Sequence, residues 1–425
     1  MTTVNDVDAA PADAILPPER LARYADALIR SCLGIGADDQ VFLHGQPAHR
    51  ELLVALTEAA YRAGASLVDV QYVDACVAAA RIRSAKEEHL GPAPPWQVAR
   101  ARARLRPEAA SVAVVGEGDP GAYDGLPPER VALDVQKPLR KMPWLVRAHR
   151  ENRVRWGAIA WPTPSWAREV YPELGTLEAQ RRLADDLLWF CRLGPDDPPG
   201  WEGWERHVDV LAERARVLTE LPLERVELRG PATRLDVRLA PGTRWLGGRE
   251  RNGHGQLVAP NFPTEESFTS PDASGTEGTF RCSRPLSLRG RMIHGIEGEF
   301  RRGRLVRLDA ASEADRDFLA AFVDSDRNGR RLGEVALVDR TSRIGQAERV
   351  YGNTLIDENA AAHIAFGFGF GQTRAADTGA RGARGVNRSS VHVDVMIGTD
   401  DFEATGITRD GRRVPLLAGG EWQIA

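Results

Sequence analysis

The stretch Asn353-Thr-Leu-Ile-Asp-Glu-Asn-Ala-Ala-Ala-His363 carries a carboxylate, Glu358, and an imidazole, His363, inside an otherwise small and apolar run. Ala360, Ala361, Ala362, Ile364, Ala365 and Phe366 read as buried helix. Burying an unpaired Glu or His costs several kcal/mol, so each needs a compensating partner, and a metal ion is the most economical one. Val391-His-Val-Asp-Val-Met-Ile397 points the same way. Side chains alternate along a strand, so His392 and Asp394 project together while Val391, Val393 and Val395 pack on the opposite side.

Around these stretches the chain has the texture of short alternating strands with turn residues between them, at 225–228, 234–239, 285–288, 295–300 and 305–308. That pattern predicts a mainly antiparallel α+β metal-binding domain over 201–425, entered through a helix at 204–218. The first half reads differently. Helical spacing at 17–32, 50–63 and 179–192 alternates with β-type runs at 40–44, 66–73, 111–115 and 157–161. Strands alternating with helices predict an α/β domain with a parallel sheet over 17–200, behind a disordered lead-in at 1–16. Gly194-Pro-Asp-Asp-Pro-Pro-Gly200 is the densest Pro/Gly cluster and the expected connection between the two. Gly116-x-Gly118 also follows a strand, but Asp119-Pro120 replaces the helix-opening glycine of a dinucleotide fingerprint. A strand-end turn is the reading there.

At 425 residues the chain is long enough for two domains with sizeable cores. A net charge of -4 gives no electrostatic case for nucleic acid or an anionic membrane. No apolar run approaches the ~20 residues that a membrane span needs. Cys32, Cys76, Cys191 and Cys282 show no CxxC spacing and read as small side chains in a reducing compartment. The N-terminus lacks the basic and apolar regions of a signal peptide. The expected location is the cytoplasm.

Further carboxylates extend the ligand set. Glu266 closes the polar turn Pro263-Thr-Glu-Glu266, and Glu334 opens the apolar run Val335-Ala-Leu-Val338. Carboxylate and imidazole ligands suit Zn, Co or Mn, and a pair of ions needs one bridging carboxylate with several terminal ligands. Taken singly, each residue has an ordinary structural reading. A His-x-Asp strand can be a satisfied pair, Glu334 a solvated strand edge, the Glu266 turn a helix start and His363 a hydrogen-bonded core histidine. On an ideal helix Glu358 and His363 would stand about 140° apart, so Glu358 would have to occupy the first turn. Spacing alone does not decide.

Asn261-Phe-Pro-Thr-Glu-Glu-Ser-Phe-Thr-Ser-Pro271, Leu332-Gly-Glu-Val-Ala-Leu-Val338, Asn353 to Gly367 and Val391 to Gly398 together resemble the M29 family of metallo-aminopeptidases, the aminopeptidase T/S group. Weaker likeness through Ala63 to Leu67, Gly118 to Pro120 and Trp166 to Pro172 extends the resemblance over nearly the whole chain. It implies a cytosolic, homodimeric hydrolase that removes N-terminal residues from peptides with two divalent ions per subunit (Zn, Co or Mn), through a metal-bound hydroxide. The ligands it implies are Glu266, Glu334, Glu358, His363, His392 and Asp394, with Glu334 as the bridge. Glu266 or Glu358 would act as the catalytic proton shuttle. Phe370 stands where the family has a tyrosine, and it supplies neither a ligand oxygen nor a proton donor. Phe370, Arg374 and Arg388 are the candidate substrate-binding residues, with Arg381 and Arg384 as further candidates in the same Gly/Arg-rich loop to hold a peptide carboxylate.

Competing readings follow from the same residues. His363, His392 and Asp394 also suit the facial triad of a mononuclear Fe(II) ring-cleaving dioxygenase of an M29-like group. The retained Glu266, Glu334 and Glu358 argue against it, because one iron would leave them uncompensated. The other is a non-catalytic peptide-binding member, against which the intact ligand set argues.

Overall fold

Gln40–Gly45, Leu67–Tyr72, Ala109–Val115 and Arg155–Ala160 are four of the five strands of a parallel sheet. The computed structural model describes residues 13–424, apart from 92, 117, 119–120, 136–141 and 375–384. The glycine pattern at 116–120 therefore lies partly outside the described residues, as do Arg381 and Arg384. Helices intervene between the strands, as at Arg50–Arg62, and others follow, as at Thr176–Phe190. Leu52, Leu53, Leu56, Ala59 and Ala60 recur at helical spacing and are buried with Val41, Leu43 and Val112 of the sheet. Each fully buried Leu or Val side chain contributes about 1.5–3 kcal/mol.

The last residues of the expected lead-in, Ile15 and Leu16, belong to the folded part. Both are buried in this first core, because they are apolar and the helix Pro18–Asp26 holds them against it; residues 1–12 lie outside the described residues. The chain also returns to the first sheet from beyond residue 201. Asn261–Phe262 pairs in parallel with Arg155–Ala160 and forms an outer strand. The Phe262 ring lies 4.6 Å from Trp204 and 5.4 Å from Tyr24, which seats it in the first core. The residues that follow, 263–266, are thereby positioned at the seam between the two halves.

Among the described residues the second half contains two large antiparallel sheets and two small two-stranded ones. An eight-stranded sheet includes Leu223–Gly230, Thr233–Leu239, Pro271–Arg281 and Glu403–Thr408. A five-stranded sheet runs in the order His392–Met396, His363–Gly367, Leu332–Leu337, Ser267–Thr269, Leu246–Gly247. Val335, Leu337, Ile364, Phe366, Val393 and Val395 point from the five-stranded sheet into a core shared with Val226, Leu235 and Val237 of the larger one. The side chains alternating with them form the opposite face.

One element departs from the sequence reading. The buried helix expected through Ala360–Phe366 is a short helix at Thr354–Asp357, a 3-10 turn at Glu358–Ala360, and then the strand His363–Gly367. Alanine-rich sequence favours helix locally, but His363–Gly367 pairs on both edges, with Leu332–Leu337 and with His392–Met396. That tertiary pairing overrides propensity. The helical-wheel objection to Glu358 and His363 sharing a site disappears with the helix.

Candidate metal centre

The open face of the five-stranded sheet has a simple arithmetic. Glu334 is registered opposite Ala365, and Ala365 opposite Asp394. Ala336 is opposite His363, and Gly367 opposite His392. Directly opposed residues in an antiparallel pair point to the same face. Glu334, His363, His392 and Asp394 therefore share one face, with Ala336, Ala365 and Gly367 as small spacers among them. Phe268, opposite both Ala336 and Leu246, belongs to the same face. Glu266 lies two residues before it at the seam. Gly333, next to Glu334, has no room for a side chain: a Cβ there would lie 2.0 Å from the Phe368 carbonyl oxygen.

A cavity of about 200 Å³ lies over this face. Glu266, Glu334, Glu358, His363, His392 and Asp394 all line it. Its other walls include Trp156 and Pro260 from the seam, and Leu246, Phe268 and Phe370 from the sheet side. Two ligand-competent groups can be drawn within it, each with donor atoms within 4.8 Å of one another: Glu266, Glu334 and His363, and Glu334, His392 and Asp394. Glu334 belongs to both. Glu358 lines the same cavity but falls in neither group.

The hydrogen bonds of the imidazoles show what the cluster lacks. His363 Nδ1 lies 3.2 Å from the Ala361 carbonyl oxygen, and His392 Nδ1 lies 2.9 Å from that of Phe368. A carbonyl only accepts, so Nδ1 is the protonated nitrogen in each ring and Nε2 carries the lone pair of the neutral form. His363 Nε2 faces Glu266 Oε2 at 3.2 Å. His392 Nε2 faces Glu334 Oε2 at 3.3 Å and Asp394 Oδ1 at 3.2 Å. Lone pairs facing carboxylate oxygens at these distances need a proton or a cation between them. Glu266 Oε2 is buried without a hydrogen-bond partner, and no lysine or arginine lines the cavity among the described residues. The donor set fits divalent cations.

Protons respond to the same crowding when no metal is bound. Burial pushes Glu334 up to about 7, against the pull of the His392 hydrogen bond. Burial, with the Asp394 and Glu266 charges, pushes Glu358 well above the usual carboxylate range. Burial alone would lower His363, but the Glu266 carboxylate beside it prevails and raises it to about 10. His392 is likewise raised by Asp394 and Glu334 in spite of burial. Asp394 is lowered, because the His392 contact outweighs its burial.

Of the substrate-binding candidates, Phe370 lines the cavity, with its ring in T-shaped arrangements with those of His392 at 5.4 Å and Phe268 at 5.4 Å. Arg374 and Arg388 do not line it. The Arg374 guanidinium donates to the Pro241 carbonyl at 2.7 Å, and Arg388 is exposed, its carbonyl accepting from Asn328. A charge in a Gly/Arg-rich loop does not by itself indicate a direction. Trp156, Leu246, Glu250, Asn261, Phe268 and Gln372 were not singled out from the sequence, since each is unremarkable in its own segment.

The chain from 18 to 422 matches the model of the family described as thermophilic metalloprotease (M29). Aminopeptidase T of Thermus aquaticus is 37% identical over 409 residues, covering 96% of this chain and 99% of that protein. Aminopeptidase PepS of Streptococcus thermophilus is 32% identical over 417 residues, covering 96% and 98%. The solved structure of wild-type AmpT from Thermus thermophilus superposes with a TM-score of 0.86 at 37% identity, covering 95% of this chain and 99% of that one. A 2,5-dihydroxypyridine dioxygenase structure from Pseudomonas putida KT2440 shares the fold alone, with a TM-score of 0.51 and 12% identity over 95% of this chain and 97% of that one. A family model spanning nearly the whole chain, together with curated relatives above 30% identity, places this protein in the M29 family as a metallo-aminopeptidase.

Proposed function

We propose that the chain removes N-terminal residues from peptides at a dinuclear centre in which Glu334 is shared between two divalent ions. The observation that supports this most directly is the membership of Glu334 in both ligand-competent groups. Glu266 and His363 would complete one ion's protein ligands, and His392 and Asp394 the other's. When bound, such a pair supplies Lewis acidity toward a peptide carbonyl and makes water acidic enough to act as a nucleophile near neutral pH.

The protein's own groups do the rest. The sheet presents its ligands from paired strands, so the donor atoms are preorganised. Glu358, standing apart from both groups, is the better placed of the two catalytic candidates for proton transfer. It lines the cavity without belonging to either ligand-competent group, which leaves its carboxyl available to pass a proton to the departing amine. Glu266 then serves as a ligand. Trp156, Leu246, Phe268 and Phe370 offer an apolar wall for the first side chain of the peptide. The same reading makes the protein a cytoplasmic homodimer. Cys32, Cys191 and Cys282 form no disulfide among the described residues, which accords with a reducing compartment, and no described helix is long and apolar enough to cross a membrane.

The test is to strip the protein with chelator, reload it with Zn, Co or Mn, count the metal and assay a Leu- or Phe-anilide. Two ions per chain with restored cleavage is the expected result. No cleavage with any metal would overturn the peptidase reading, and a single iron per chain would return the dioxygenase reading, against which three further carboxylates in the cavity now argue.

A further inference from the structure

Glu265 and Asn359 each sit beside a residue of the centre, Glu266 and Glu358, yet neither lines the cavity. Both are buried, at 5% and 0% exposure. The Glu265 N–H donates to Asn359 Oδ1 at 2.7 Å. The Asn359 amide in turn donates to the Leu355 carbonyl at 3.0 Å, and its backbone carbonyl accepts from Ser342 Oγ at 2.8 Å. One side chain thus ties the turn that carries Glu266 to the turn that carries Glu358.

The Glu265 carboxylate is held from the other half of the molecule. Arg192 donates to it through both arms of its guanidinium, at 2.6 and 2.9 Å. The Arg343 N–H reaches Glu265 Oε1 at 3.3 Å, and the Arg343 side chain makes its own two-armed pair with Asp197 at 2.7 and 2.8 Å. Two cations and two anions therefore form a balanced clasp across the seam. Paired and hydrogen-bonded on every side, such buried charges are satisfied, and the planar fork of arginine fixes direction as well as distance. Successive residues of an extended turn point apart, so anchoring Glu265 in the seam aims Glu266 into the cavity.

We propose that Asn359 and Glu265 are positioning residues. The Arg192–Glu265 clasp and the Asn359 tether set where Glu266 stands relative to Glu358 and the sheet-borne ligands. The half of the centre that contains Glu266 depends on them, whereas the half built from His392 and Asp394 on strand pairing does not. This rests on the dinuclear reading above.

Calorimetric titration of Co²⁺ into the chelator-stripped full chain tests it, with thermal unfolding of each variant as a check on the fold. In Asn359→Ala and in Glu265→Gln, one equivalent is expected to bind about 10- to 100-fold more weakly while the other is unchanged. Equal weakening of both equivalents, or no weakening of either, overturns the inference. If one variant fails to fold, the other decides, because they act from opposite sides of the turn. A wild-type chain that binds a single equivalent overturns the dinuclear reading instead. The positioning inference then stands if that equivalent weakens in the variants and falls if it does not.

Discussion

His363 and Glu266 face each other Nε2 to Oε2 at 3.2 Å, one from the strand second from the edge of the five-stranded sheet and the other from the turn at the seam. Each is nearly inaccessible, and the carboxylate oxygen has no hydrogen-bond partner. A cation shared by them satisfies both. His363→Ala is expected to remove one metal equivalent and to lower kcat/KM by at least about a thousandfold, a loss of the size seen when a positioned electrostatic group is deleted. Metal analysis and anilide kinetics on the same preparation check it.

Ala365 lies in register between Glu334 and Asp394, and it is fully buried. A larger side chain there must push against the two carboxylates. Ala365→Val is expected to cost about 1–3 kcal/mol of stability through overpacking. It should cost disproportionately more in metal affinity, because the displaced neighbours are ligands. Denaturant unfolding beside metal titration separates the two effects. A variant that loses stability but keeps full metal affinity would show that the spacer role is wrong.

The Phe370 ring stands 5.4 Å from that of His392 in a T-shaped arrangement and carries no hydroxyl. Phe370→Tyr adds a donor to the cavity wall. It is expected to raise kcat by up to about tenfold with little change in KM, since a donor acts on charge that develops in the transition state. Steady-state kinetics with one anilide substrate measure this directly, and an unchanged kcat would remove the position from the catalytic account.

Acid should weaken the fold through His44, His49 and His207, which are buried or half-buried outside the metal centre. Burial, together with Arg104 and Arg100, pushes His44 down to about 4, and burial pushes His49 and His207 to about 4 as well. These folded values lie below the ordinary value of 6.5. The stability they contribute is therefore present above pH ~6.5 and lost as pH falls toward 4. At pH 5 each accounts for about 1–2 kcal/mol. His44→Gln, compared with the parent by denaturant unfolding in chelator at pH 7 and pH 5, should lose less stability between the two by that amount. An identical pH dependence would show that His44 titrates normally.

Much of the molecule could be read from residue order. The alternation of strands and helices in the first half follows from hydrophobic period and from glycine stops, as at Arg50–Arg62 ending before Gly64. The shared face of His392 and Asp394 follows from the two-residue repeat of a strand. The chemistry of the ligand set is intrinsic to the side chains, and carboxylates and imidazoles in apolar surroundings ask for a cation wherever the chain puts them. Tertiary structure decided what these local rules leave open. It made His363–Gly367 a strand, because pairing on both edges outweighs the helical preference of the alanines before it. It placed Asn261–Phe262 in the first sheet, which brings Glu266 to the seam, and it turned Arg374 toward Pro241 and away from the cavity. These outcomes depend on contacts between residues far apart in the chain, whose energies no local segment contains.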